Sequence, residues 1–177
     1  MNVFIAAATG RYTEIGNAAE ADCVIGQSFG AAEHGSGYVN ELIAKYIVEN
    51  TTGIPMLLQN EIAAALPEGS REPALVIEGN PSTSSGGGLD SWEVLNQTRK
   101  YMAEHGLSRP LLVTQASHAG RVTLQAKKQR IAGLIVPKGL PREFDPDSVQ
   151  SWTRSQKEWA MREVPGILYL KFVSHKL

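Results

Sequence analysis

Short, nearly unbroken apolar runs alternate along this chain with longer segments in which apolar positions recur every three or four residues. The runs at residues 22–25, 55–58, 74–77, 111–114 and 132–136 are too short for helices. They also lack the alternation of a strand with one wet face, so they read as strands buried on both sides. Tyr38, Leu42, Ile43, Tyr46 and Ile47 fall at helical spacing after the first run, and a short helix is expected over 62–66. Further helices are expected over 91–104, closed by His105-Gly106, and over 118–130. Val149, Trp152, Gln156, Trp159 and Ala160 form one stripe of a last helix, expected to stop before Pro165 because the residue preceding a proline is pushed out of the helical region. Residues 82–88, rich in serine and glycine, read as a flexible loop. Strands alternating with helices predict a single α/β domain over 1–177, a three-layer α/β/α Rossmann-like fold with a mostly parallel sheet of about five strands.

Composition narrows the function classes. With 177 residues, 42% of them hydrophobic, the chain is long enough for one domain with its own core. A net charge of -1 argues against a general nucleic-acid binder, which gains affinity from a concentrated basic surface. The one basic cluster, Lys127-Lys128-Gln129-Arg130, falls where a helix C-terminus favours cations. A single cysteine, Cys23, excludes an internal disulfide and a thiolate zinc cage, and no metal site is expected. No run reaches the roughly 18 to 20 apolar residues that span a bilayer. Residues 1–8 are apolar but lack a basic leader, so they read as an edge strand or short helix and not as a signal peptide. A cytoplasmic location is expected; the oligomeric state is left open.

The strongest chemical signal lies at residues 110–121, where an apolar strand breaks into a polar turn and a helix begins with His118 and Arg121 near its start. Ligands of α/β sheets bind at the carboxyl ends of strands, and a helix start there offers unpaired N–H groups. Three residues apart, the imidazole and guanidinium share a helix face and lean toward that crevice. Glu61, Glu78 and Glu93 fall at other strand ends or the helix starts beyond them. One pocket is therefore expected to gather His118, Arg121 and at least one of these carboxylates. His118, Glu78 and Glu93 are the candidate catalytic groups, with His118 held largely neutral by the helix dipole. Gly26, Gln27, Ser28, Gly30, Glu61, Ser84, Ser85, Thr114, Ser117 and Arg121 are the candidate ligand-binding residues. Simpler roles compete: Asp90 and Glu93 have capping-box spacing, Arg121 pairs with any nearby acid, and the Trp152/Trp159 stripe packs.

Val113-Thr114 followed by His118 and, three residues on, Arg121 resembles the fourth-strand signature of the YdcF/SanA/ElyC-like bacterial proteins. Asp22-Cys-Val-Ile-Gly26 is similar to that family's first strand, Asn60-Glu61-Ile62-Ala63 to its Glu-Ala turn, and Val76-Ile77-Glu78 to its third strand. Asp90-Ser91-Trp92-Glu93 stands where the family has Thr-x-Glu-Asn, with Val94 in place of the Asn, and Gln59-Asn60 replaces its Ser-Gly. The resemblance spans roughly residues 20 to 170. It implies a small-molecule enzyme or binding protein for an anionic or nucleotide-like ligand, S-adenosylmethionine among them. Members linked to cell-envelope biogenesis imply an alternative, a non-catalytic regulator.

Gly26-Gln-Ser28-Phe-Gly30 opens a third reading, since it matches the Gly-x-Ser-x-Gly elbow of serine hydrolases, with Asp145 and His175 following in order. An elbow feeds directly into a helix, however, and residues 31–37 read as a loop. Ser28 is therefore expected not to be a nucleophile. No Walker-type or complete Gly-x-Gly-x-x-Gly sequence is present.

Overall fold

The computed structural model describes residues 9–78 and 90–172. Its four strands are β1 (Cys23–Gly26), β2 (Met56–Gln59), β3 (Leu75–Ile77) and β4 (Pro110–Val113). They form one sheet in the order β3-β2-β1-β4, every pair parallel. The helices are α1 (Tyr38–Asn50), α2 (Asn60–Ala64), α3 (Ser91–Glu104), α4 (Ala116–Lys128) and α5 (Gln156–Phe172). This is an α/β fold consistent with a Rossmann-like layout.

The apolar runs explain the sheet. Every residue of β1, β2 and β4 is buried, as strands covered on both faces must be. β3 lies at an edge, and its Val76 is exposed. Helix α1 buries Val39, Ile43, Ala44 and Ile47 at the spacing that marks one face of a helix. Helices α1 and α2 pack against each other, as do α3 and α4. Gly26 is required at the end of β1, where a Cβ would stand 2.7 Å from Leu58 and 3.0 Å from Ile47. Its missing side chain makes room for core packing, not for a ligand's approach.

Two expectations are corrected. The fifth strand does not form: Ile135 and Val136 make only isolated bridges, parallel to Leu111 and antiparallel to Ile15. Gly133 turns the chain at φ 65° on one side, and on the other Pro137 has no N–H to continue a ladder. The last helix runs through Pro165 instead of stopping before it. Buried Trp159, Glu163 and Ile167 anchor it at four-residue spacing across the proline. The carbonyl that Pro165 leaves without its helical partner belongs to Met161, an exposed residue, so the lost bond falls on the solvent side of the helix. Residues 149 and 152 precede this helix, with Ser151–Thr153 in a 3₁₀ turn. The expected elements at 1–8 and 82–88 lie outside the described residues. Among the described residues, no helix is long and apolar enough to cross a membrane.

Candidate functional site

Parallel register brings the carboxyl ends of β1, β2 and β4 level: Gly26 stands opposite Leu58 on one side and Val113 on the other. The chain leaves β1 for β2 and β3 and later returns to β4 on the other side, so strand order reverses at β1. Crevices form at such a reversal. Here it holds a cavity of about 310 Å³, at the small end of ligand-sized sites.

Each element contributes to the wall. Beyond β1 come Gln27, Ser28, Phe29 and Gly30; beyond β2, Gln59 and Glu61; from α3, Ser91; and from α4, His118 and Arg121. Trp159 and Arg162 of α5, with Gln150, Trp152 and Thr153 before it, close the far side. The β1–α1 loop is braced from within. Ser28 N–H donates to Gln59 Oε1 (3.1 Å), Phe29 N–H donates to Asn40 Oδ1 (2.9 Å), and the Asn40 amide donates to the Ser36 carbonyl (2.6 Å). Gly30, at φ 81°, turns back beside Thr153 and Ser148. No helix begins until Tyr38, so the strand-to-helix turn of a nucleophile elbow does not form at Ser28.

In the cavity wall His118, only 3% exposed, packs beside Phe29 and nearly perpendicular to the Trp159 ring, the three rings forming one cluster. Its Nε2 lies 3.2 Å from Ser91 Oγ, and Arg121 Nη2 lies 3.3 Å from its Nδ1. Arg121 Nε donates to Glu163 Oε1 at 2.8 Å, and that oxygen is 3.8 Å from His118 Nδ1. Burial first, and the Arg121 charge second, push the His118 pKa down to about 4 against the opposing pull of Glu163. His118 is thus neutral near pH 7 because of burial and a guanidinium, not because of the helix dipole. Arg162 lies over the Trp152 ring, 4.0 Å from its centroid, and also faces the cavity.

The structure brings His118 and Arg121 together with Glu61, Gln27, Ser28 and Gly30. It leaves Glu78 and Glu93 out. Glu93 lies two residues past Ser91, about 200° around the helix, and its carboxylate accepts from Gln97 (3.0 Å). The same Gln97 amide donates to the Glu78 carbonyl (3.2 Å). Glu78 follows the edge strand β3, three strand spacings or about 14 Å across the sheet from β4. Neither carboxylate lines the cavity, so a catalytic role beside His118 does not suit them. Asp90 caps α3 by accepting from Glu93 N–H (2.8 Å). Thr114, fully buried, and Ser117, which donates to Gln156 Oε1 (2.9 Å), lie behind the wall. Gly26 packs against Leu58, as above. Ser84, Ser85 and His175 lie outside the described residues.

Glu163, Trp159 and Arg162 carry no motif that marks them, and Ser91 and Gln59 fall inside the segments compared with the family without being candidate site residues. A further cue existed for Ser91, at the start of a helix just after a glycine-rich stretch. The packing role expected of Trp159 is incomplete, since its indole both donates to the Ser117 carbonyl (3.3 Å) and walls the cavity. Among the described residues no three His, Cys, Asp or Glu side chains gather to hold a metal. No family model, curated protein or solved structure matches the chain.

Proposed function

We propose that this chain is a YdcF-like small-molecule enzyme or binding protein whose cavity takes an anionic, nucleotide-like ligand. Right-handed crossovers would set α1 and α2 on one face of the sheet and α3 and α4 on the other, the three-layer arrangement of such a fold. The observation that carries the reading is the pair of buried acceptors with no partner among the described residues, Gln27 Oε1 and Glu61 Oε2, both on residues that line the cavity. Buried acceptors are nearly always satisfied in folded proteins, so two in one cavity call for a donor from outside. The same cavity is lined by Arg121, whose Nε is taken by Glu163, and by Arg162, stacked on Trp152. A ligand with hydroxyl or amino donors at one end and a negative group at the other satisfies both sets of groups.

Adenosine monophosphate and S-adenosylmethionine are the probes, titrated calorimetrically into the purified protein, with native mass spectrometry to find any co-purified ligand. Saturable binding that weakens at least tenfold in Arg162→Ala is the expected result. Absence of heat with both probes, together with a mass equal to that of the bare chain, would overturn the proposal.

A further inference from the structure

The Ser91–His118–Glu163 row has the look of a nucleophile, base and orienting acid, but Arg121 reverses its polarity. A guanidinium only donates, so its Nη2, 3.3 Å from His118 Nδ1, makes that nitrogen an acceptor. A neutral imidazole with Nδ1 accepting carries its proton on Nε2. Nε2–H therefore points at Ser91 Oγ, 3.2 Å away, and the hydroxyl becomes the acceptor of that bond. The opposite tautomer needs Nδ1–H to donate to Glu163 Oε1 at 3.8 Å, beyond hydrogen-bond range, and to face a second donor on Arg121.

With its acceptor side used, the Ser91 hydroxyl has a proton left to give, and no acceptor for it is found among the described residues. Ser91 lines the cavity and is 8% exposed. We propose that Ser91 is the residue that donates a hydrogen bond to an oxyanion of the ligand, its proton turned into the cavity by Arg121 acting through the His118 ring. This rests on the small-molecule reading above and names the group recognised: a phosphate or carboxylate oxygen seated at the start of α3. Ser91 opens that 14-residue helix, where the first N–H groups have no intrahelical acceptor, so an oxyanion meets a hydroxyl donor and backbone donors at one point. Asp90 lines the same cavity, and its carboxylate takes one of those donors, the Glu93 N–H, so the oxyanion is left with the Ser91 hydroxyl and the N–H groups of the first two helical residues. Ser91 binds the ligand, while His118 and Arg121 are positioning residues. No covalent step follows, since an imidazole that donates to a hydroxyl does not deprotonate it.

Two measurements decide it. Long-range proton–nitrogen correlation on histidine-labelled protein reads the tautomer without any ligand. His118 should be protonated on Nε2 and bare on Nδ1 from pH 8 to 5.5, and Arg121→Met should move the proton to Nδ1. A wild-type ring protonated on Nδ1 overturns the proposal. The second measurement is calorimetry with adenosine monophosphate, and with inorganic phosphate to separate the oxyanion from the rest of the nucleotide. Ser91→Ala should weaken binding of both about tenfold or more while keeping a cooperative melt, and Ser91→Thr should restore most of it. Equal binding by wild type and Ser91→Ala overturns the role of Ser91 and leaves the ligand reading standing. Binding of neither probe by the wild type overturns both.

Discussion

At the amino ends of the strands the Asp22 carboxylate accepts from Ser108 N–H (2.7 Å), Arg109 N–H (2.9 Å) and the Ser108 hydroxyl (3.2 Å). At the carboxyl ends Gln27 Oε1 and Glu61 Oε2 are buried with no partner among the described residues. At the amino end one side chain ties the start of β1 to the approach to β4, with both of its carboxylate oxygens engaged. The carboxyl end is built at a loss, since each unsatisfied buried acceptor costs about 1 to 3 kcal/mol. On the function proposed above, the difference assigns stability to one end of the sheet and recognition to the other.

The sharpest way to break that division is to remove Glu163. It is 3% exposed and holds Arg121, so Glu163→Ala is expected to cost about 3 kcal/mol by leaving a partly buried guanidinium unpaired. Urea unfolding measures it. A loss under about 1 kcal/mol would show that the carboxyl end is wet and not a buried network.

Acid should find the two ends in different pH windows. His118 falls from 6.5 to about 4 on folding, so the unfolded chain binds the extra proton between those values. Stability from keeping it neutral is complete above pH 6.5 and is lost as pH falls toward 4, amounting to about 3 kcal/mol. His118→Gln should flatten that slope. The Asp22 pKa is lowered from 3.8; burial works to raise it, and the N–H bonds of Ser108 and Arg109 overcome that. Its contribution is present above pH 3.8 and is lost only below it.

Asp22→Ala is expected to cost about 2 kcal/mol, because two backbone N–H groups lose a charged acceptor. Adenosine monophosphate affinity should be unchanged. A drop in affinity would join the two ends that the comparison separates. The smallest effect has the opposite sign. Gln27→Met conserves shape and removes a buried unsatisfied carbonyl, so the unliganded protein should gain about 1 kcal/mol in urea while binding weakens. A loss of stability would mean that Gln27 is already satisfied.

Periodicity exposed most of the fold because strands covered on both faces must be apolar throughout, and residues 91–104 match α3 residue for residue. The edge defeated it. Residues 132–136 are as apolar as a strand, yet the left-handed turn at Gly133 and the ring of Pro137 confine pairing to the bridges of Ile135 and Val136. Of the site, His118, Arg121 and Glu61 were visible because strand ends and helix starts are local features. Glu163 was not, since its role depends on α5 lying across α4, which no local pattern encodes. Glu93 was visible for the wrong reason: capping spacing also placed an acid near the site, on the helix face that turns away.

Pro165 gives the cavity wall a kinetics of its own. The proline removes one rung from α5 just past Glu163, while the strands keep an uninterrupted ladder. Amide protons of α5 should therefore exchange through local opening, at lower free energy than the global unfolding that exposes β1 and β4. When α5 lifts, Trp159, Arg162 and Glu163 leave together and the cavity loses a side without the sheet coming apart. Occupancy by a molecule that touches Arg162 should then appear as slowed exchange confined to 156–169. On the proposed reading, the protein would hold a ligand behind a helix hinged by its own sequence.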